Sequence, residues 1–190
     1  MKTGLFFGSF NPIHIGHLAI ANYVVEYTDL KQVWFVISPQ NPLKKRKGLL
    51  ADYHRLSLVR EAIDGDLRFK ACDVEFKMPK PSYTIDTLAY LREQFPERKF
   101  AIIMGADGLP TFDKWKNYEE LMYSCTRYIY PRPGIDVRGL KNLGNCVFID
   151  APLIEISSTF IRESIKDGKD VHYFLNDKVY KYLKEMHFYE

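Results

Sequence analysis

The sequence predicts an α/β fold with a doubly wound parallel sheet, and three observations support this class. Short runs rich in β-branched and aromatic residues, such as 32–38 (QVWFVIS), are typical of strands buried on both faces. Stretches of helical periodicity separate these runs, which is the order expected of parallel crossover units. No repeat, low-complexity segment or linker divides the 190 residues, so we expect one domain over residues 1–190.

The first strand, turn and helix occupy residues 3–20 (TGLFFGSFNPIHIGHLAI). The chain is apolar over residues 5–7, breaks at Gly8, and then passes through His14 and His17, which are three positions apart. Apolar residues recur at helical spacing after His17. The pattern predicts a buried strand that ends in a glycine turn, followed by a helix whose first turn carries His17.

The two histidines at the start of this helix predict an anion site. A helix N-terminus presents unpaired N–H groups and a partial positive charge, and two imidazoles add directional donors. Two histidines at this spacing could instead form part of a metal site, but the nearby sequence offers no third ligand. They could also simply pack in the core. Their position beside a glycine turn favours contact with a phosphate chain.

Three elements follow the first helix. Residues 32–38 predict the second strand, and residues 53–63 predict a helix for which Asp52 is a suitable N-cap. Arg55 lies inside this helix, and the pattern fits a solvent-exposed role and a functional role for it equally well. Residues 68–76 alternate sufficiently to predict a third strand.

The second half of the chain continues the alternation. A loop with two prolines leads to a helix that starts at Thr84, for which Ser82 or Thr84 is the expected cap. Further strands are predicted at residues 99–104, 126–130 and 146–150, and a closing amphipathic helix at residues 176–186. The complete pattern is that of a Rossmann-like sheet, in which ligands bind at the carboxyl ends of the strands.

A second candidate phosphate motif lies at residues 156–162 (ISSTFIR). Hydroxyl residues immediately before a helix supply capping oxygens, and Arg162 lies three positions after Thr159 on the same face of the first turn. The simpler alternative is a strongly capped helix with a surface arginine.

Composition narrows the class of function. The hydrophobic content of 46% and charged content of 27% are those of a globular protein, and the apolar runs are too short to cross a membrane. A net charge of +3 permits an anionic small-molecule substrate but provides no patch suited to nucleic acid. The three scattered cysteines and the absence of a visible signal peptide lead us to expect reduced, buried thiols and a cytoplasmic protein. The sequence contains no P-loop, dinucleotide fingerprint or nucleophile elbow.

Two motifs carry a family resemblance. Residues 8–17 (GSFNPIHIGH) resemble the H-x-G-H signature of the nucleotidylyl-transferase superfamily, and residues 156–162 resemble its Ser-Ser-Thr-x-Ile-Arg signature. Phe7 stands where the family usually has a first glycine. Within the superfamily the chain is similar over its whole length to the bacterial nicotinate-nucleotide adenylyltransferases. The matching segments are 42–44 (PLK), 82–84 (SYT), 105–107 (GAD) and Trp115.

The resemblance implies a fold of the nucleotidylyl-transferase type and a set of site residues. It implies catalytic roles for His14, His17, Lys44 and Arg162. The ATP-binding set that it implies is Gly8, Ser9, Phe10, His14, His17, Ser157, Ser158, Thr159 and Arg162. The set implied for the second substrate is Lys44, Ser82, Tyr83, Thr84, Gly105, Asp107 and Trp115. No residue is predicted to ligate a metal directly, and Lys45, Arg46 and Lys47 beside Lys44 are expected to be solvated.

The resemblance also implies a reaction. ATP and nicotinate mononucleotide would give deamido-NAD and pyrophosphate, with Mg²⁺ accompanying ATP. Other members of the superfamily use nicotinamide mononucleotide or pantetheine phosphate as the acceptor, and a nucleotide sensor without turnover is the alternative outside enzymes. The expected partners are therefore small molecules, with no nucleic acid and no membrane, and a homo-oligomer is left open.

Overall fold

The structure, a computed structural model, describes residues 1–39, 48–137 and 143–190. The chain forms six strands and six α-helices within these ranges. The strands are β1 (Lys2–Gly8), β2 (Gln32–Ile37), β3 (Phe69–Cys72), β4 (Lys99–Gly105), β5 (Arg127–Tyr130) and β6 (Cys146–Phe148). The helices are α1 (Ile15–Tyr27), α2 (Asp52–Ile63), α3 (Thr84–Gln94), α4 (Tyr118–Ser124), α5 (Ser158–Lys166) and α6 (Asp177–Glu185). The predicted α/β class is confirmed.

All six strands pair in parallel in the order β3-β2-β1-β4-β5-β6. β2 and β3 therefore lie on one side of β1, and β4, β5 and β6 follow one another on its other side. A crevice opens where the direction reverses, at the carboxyl ends of β1 and β4. This topological switch places the functional site.

The sheet is covered on both faces, as the apolar strand sequences predict. Phe6 on β1 points to one face, where it packs with apolar residues of α1, α2, α5 and α6. The neighbouring Leu5 points to the other face and packs with residues of α3 and α4. Successive side chains alternate between the two faces of a strand, so a central parallel strand must be apolar on both.

Two local predictions are wrong. The third strand ends at Cys72, and residues Val74–Lys77 form a 3-10 helix because the buried Glu75 turns inward to two hydroxyl groups described below. Asp52 is the first residue of α2, and Ala51 occupies the N-cap position. The Asp52 carboxylate instead accepts hydrogen bonds from Arg55 and Lys80.

Cys72, Cys125 and Cys146 are all free; Cys72 and Cys125 are buried as predicted, whereas Cys146 is only half-buried. Burial raises the pKa of the Cys125 thiol to about 11, so this thiol is protonated at neutral pH. Within the described residues, no helix is both long and apolar enough to span a bilayer.

Candidate active site

A cavity of about 510 Å³ opens at the carboxyl ends of β1, β4 and β5. Every predicted site residue within the described ranges lines it, although these residues come from widely separated parts of the chain. They are Gly8, Ser9, Phe10, His14, His17, Ser82, Tyr83, Thr84, Gly105, Asp107, Trp115, Ser157, Ser158, Thr159 and Arg162. Lys44 lies outside the described residues. The structure thus brings the two phosphate-type motifs and the 82–84 segment to one site.

The two histidines stack at the start of α1. His14 is the N-cap residue, and its ring lies 3.7 Å from that of His17, centroid to centroid. The backbone N–H of His14 donates to Nδ1 of His17 at 3.3 Å. When the His17 ring is neutral, its proton must therefore lie on Nε2, which makes that atom a hydrogen-bond donor.

Glycines allow this close packing. A Cβ atom at Gly16 would lie 3.0 Å from Nδ1 of His14 and 3.2 Å from Cγ2 of Ile154. A Cβ atom at Gly8 would lie 2.8 Å from the ring of Phe10, which is 1% exposed and packs edge-on against Phe6 and His17. The Phe10 ring thus supports the turn from the core.

His14 is a neutral imidazole at physiological pH. Burial, with a smaller contribution from the charge of Arg132, lowers its pKa to about 4. The ring is 5% exposed, and within the described residues its Nδ1 has no hydrogen-bond partner. Charging this ring would place a cation in a buried position beside a guanidinium.

The second motif is joined to the first by hydrogen bonds. Ser157 caps α5 by accepting from the backbone N–H of Phe160 at 3.1 Å, which confirms the predicted capping. The Ser158 hydroxyl donates to the carbonyl oxygen of Pro12 at 2.8 Å. Arg162 donates to the carbonyl oxygen of Asn11 at 2.7 Å and to the Thr159 hydroxyl at 3.3 Å. The N-termini of α1 and α5 therefore face the same cavity.

The 82–84 segment starts α3, but not through side-chain capping. Tyr83 occupies the N-cap position without a side-chain cap, so the expectation that Ser82 or Thr84 caps the helix is wrong. The Ser82 hydroxyl donates to one oxygen of the buried Glu75 at 2.7 Å, and the Thr87 hydroxyl donates to the other at 2.8 Å. Glu75 is 2% exposed and lines the cavity. The donors left for a ligand are the first N–H groups of α3 and the Thr84 hydroxyl.

Trp115 forms the wall beside this helix start. Its ring is tilted against Phe112 at a centroid distance of 5.4 Å. Lys116 lies 5.0 Å from the ring centroid of Tyr83 and pairs with Asp86 at 2.8 Å. A flat aromatic ligand that enters between Trp115 and the start of α3 would meet both a stacking surface and N–H donors.

Arg132 is a site residue that the sequence analysis did not identify. It follows β5, lines the cavity, and its Nε lies 3.4 Å from the carboxylate of Asp107. Asp107 follows β4, where the lack of a side chain at Gly105 lets its carboxylate fold back over the strand end. Arg132 and His14 line the same cavity, and the positive charge of Arg132 helps to lower the pKa of His14. Arg132, Arg162 and two helix N-termini make the cavity suited to a polyanion.

Comparisons with known proteins agree with this geometry. A family model described as cytidylyltransferase-like matches residues 5–164. A curated relative from Flavobacterium psychrophilum, named "probable nicotinate-nucleotide adenylyltransferase", is 50% identical over 192 residues, which cover 100% of each chain. A relative of the same name from Bacteroides fragilis is 49% identical and covers 95% of this chain and 90% of its own.

A solved structure shares the fold. Plasmodium falciparum nicotinic acid mononucleotide adenylyltransferase, complexed with NaAD, superposes with a TM-score of 0.81. The alignment covers 99% of this chain and 97% of the other at 18% identity. At that identity the likeness establishes the architecture.

Proposed function

This chain belongs to the cytidylyltransferase-like family, and from that premise we propose that it is a nicotinate-nucleotide adenylyltransferase. It transfers the adenylyl group of ATP to nicotinate mononucleotide, which gives deamido-NAD and pyrophosphate, a step of NAD biosynthesis. One observation supports this most strongly: a single cavity holds both phosphate-type motifs and, beside them, an aromatic wall with a helix N-terminus. The names of the full-length relatives point to the same reaction.

The chemistry requires positioning and charge neutralisation. An oxygen of the 5′-phosphate of nicotinate mononucleotide attacks the α-phosphorus of ATP, and the bond from that phosphorus to the bridging oxygen of pyrophosphate breaks. The attacking phosphate is already ionised at neutral pH, so no general base is needed. The transfer is direct and forms no covalent enzyme intermediate.

The two phosphate motifs supply the donors. Nε2 of His17, the guanidinium of Arg162 and the first N–H groups of α5 surround the triphosphate. Their positive charges and dipoles stabilise the negative charge that builds on the leaving pyrophosphate. Lys44, which follows β2 in the sequence and lies outside the described residues, completes this set in our proposal. Neutral His14 acts through hydrogen bonding and packing.

The pyridine ring of the second substrate lies against Trp115, with its carboxylate at the start of α3. The N–H groups there and the Thr84 hydroxyl are all donors, so a carboxylate can accept from each of them. A carboxamide would place its own NH₂ against a donor, which costs about 1–3 kcal/mol for an unpaired buried group. It would also lose the interaction of a negative charge with the helix N-terminus, about 0.3–1 kcal/mol.

Mg²⁺ fits this site as an ion carried by the nucleotide. Among the described residues, no group of three or more His, Cys, Asp or Glu is placed to hold a metal ion. Magnesium commonly keeps several waters and binds phosphate oxygens together with one or two carboxylates. Asp107 lines the cavity and would be such a carboxylate. The ion supplies charge neutralisation on the phosphates of ATP.

A panel of acceptors tests the proposal. Purified protein is mixed with ATP, Mg²⁺ and one acceptor, and pyrophosphate release is measured for nicotinate mononucleotide, nicotinamide mononucleotide and pantetheine phosphate. We expect kcat/KM for nicotinate mononucleotide to exceed that for the nicotinamide compound by at least about tenfold. Thr84→Val should reduce this ratio and leave the KM for ATP unchanged. Equal kcat/KM for the two mononucleotides would reject the carboxylate site, and no turnover with any acceptor would reject the enzyme.

Three further expectations stay predictions. They are a single domain over residues 1–190, a cytoplasmic location and an oligomeric state that is left open.

A further inference from the structure

Asn11 connects the histidine turn to two other parts of the chain. It is 4% exposed, and its side-chain amide donates to the carbonyl oxygen of Gly48 at 2.8 Å. The side-chain oxygen accepts from the backbone N–H of Leu50 at 3.1 Å and from the hydroxyl of Tyr189 at 2.7 Å. The side chain is therefore oriented by three hydrogen bonds, one of which comes from the last turn of the chain.

The main chain at the same place holds the second phosphate motif. The carbonyl oxygen of Asn11 accepts from Arg162, and the carbonyl oxygen of Pro12 accepts from Ser158. The orientation of this peptide thus sets where the guanidinium of Arg162 lies relative to the histidine turn. Any group that fixes Asn11 also fixes this spacing.

Tyr189 reaches Asn11 because the segment after α6 folds back on itself. His187 and Tyr189 both have positive φ angles, +51° and +70°, which are uncommon for residues other than glycine. The segment is held by the backbone N–H of Phe188, which donates to the carbonyl oxygen of Leu183 at 3.1 Å, and by the ring of Phe188 against His54 at 4.7 Å. These contacts carry the Tyr189 hydroxyl to the underside of the histidine turn.

We propose that Tyr189 is a positioning residue for the adenylyl transfer, which acts through Asn11 to hold the histidine turn and Arg162 at the spacing that the ATP phosphates require. The inference rests on the proposed function, because it assigns ATP to these two motifs. Tyr189 contacts Asn11 through the hydrogen bond that its hydroxyl donates. A phenylalanine ring would fill the same space without that donor. Burial raises the pKa of Tyr189, so the hydroxyl remains a donor across the neutral range.

The substitution Tyr189→Phe removes the donor and keeps the ring. We expect kcat/KM for ATP to fall about three- to tenfold, the scale of losing one neutral hydrogen bond. The KM for nicotinate mononucleotide should stay at the wild-type value, because the pyridine end of the cavity does not contact Asn11. The matched control is Tyr182→Phe on α6, which removes a hydroxyl bonded to Nδ1 of His54 at 3.1 Å and should leave all kinetic constants unchanged.

A double-mutant cycle separates positioning from general stability. If Tyr189 acts through the Asn11–Arg162 contact, Tyr189→Phe should have little further effect on ATP in an Arg162→Ala background. Additive effects would overturn the proposal. Wild-type kinetic constants in Tyr189→Phe would also overturn it. A third contrary outcome is an equal loss of kcat/KM for both substrates, together with a melting temperature well below that of Tyr182→Phe.

Direct titration of ATP into each variant, followed by calorimetry, keeps this test independent of turnover. A wild-type protein that binds ATP without turning over any mononucleotide would reject the proposed function. The weaker ATP binding expected of Tyr189→Phe would still be measurable in that case, and equal ATP affinities in the two proteins would reject the positioning role.

Discussion

The buried, neutral His14 makes the stability of this protein sensitive to mild acid. Its pKa is about 4 in the folded protein, against an ordinary value of 6.5, and the ring is 5% exposed. The unfolded chain therefore binds a proton between these two values that the folded protein does not. Above about pH 6.5 the ring is neutral in both states and does not reduce the free energy of unfolding. As the pH falls from there toward 4, the free energy of unfolding decreases progressively.

The size of the effect follows from the difference between the two pKa values. At 1.36 kcal/mol for each pH unit, the full loss is about 3 kcal/mol, and about 2 kcal/mol of it occurs between pH 7 and pH 4.5. The substitution His14→Asn removes the titrating ring. We expect the free energy of unfolding of this variant to change by about 2 kcal/mol less than that of the wild type over the same interval.

Urea denaturation at the two pH values, followed by circular dichroism, measures this difference. Each protein is compared with its own value at pH 7, so any cost of the substitution itself cancels. A second variant, His172→Asn, removes a partly exposed histidine paired with Asp177 and controls for the loss of an imidazole outside the cavity. Equal pH responses in the wild type and His14→Asn would refute the burial argument, and His14 would then be solvated or charged in the folded state.

Three further predictions follow from single contacts. Gly16→Ala should lower kcat about tenfold or more in the pyrophosphate assay, because the new Cβ atom would press on the His14 ring at 3.0 Å and displace it. Arg132→Gln should raise the pKa of His14, measured by NMR titration of the imidazole, yet leave it below the ordinary value, since burial is the larger cause. Ser82→Ala should destabilise the fold by about 1–3 kcal/mol in urea denaturation, because Glu75 loses a buried donor, while the KM for ATP stays unchanged.

The central strands could be predicted almost to the residue, because the physical signal is local there. β1, β2 and β4 lie in the middle of a parallel sheet, so burial on both faces makes each a continuous apolar run. The third strand was predicted too long because Glu75 has the spacing of an outward-facing strand residue. Its partners lie seven and twelve positions further along, so local alternation could not reveal that it is buried.

The site was predictable where its residues form compact motifs and less so where tertiary structure alone brings them in. His14, His17 and Arg162 belong to short patterns beside helix starts. Arg132 lies in a Pro-Arg-Pro-Gly segment whose composition indicates only a turn. A usable signal was nonetheless present: the segment directly follows a strand, and ligands of such sheets bind at the carboxyl ends of the strands.

Arg55 and Arg162 both donate hydrogen bonds to backbone carbonyl oxygens of the histidine turn, and they differ in whether they also reach the cavity. Arg55 is fully buried, and its guanidinium donates to the carbonyl oxygens of Leu50, Ser9 and Ser38 and to the carboxylate of Asp52. It therefore ties the ends of β1 and β2 to the start of α2, which makes it structural.

Arg162 donates to one carbonyl oxygen and one hydroxyl and also lines the cavity, so under the proposed function it serves in two ways. A planar guanidinium with five N–H donors can do both, whereas a lysine ammonium cannot reproduce that fork. Under the proposed function, the same group would fix the distance between the two phosphate-type motifs and bind the ATP phosphates between them. We therefore expect Arg162→Lys, which keeps the positive charge but loses the fork, to weaken ATP binding in the calorimetric titration.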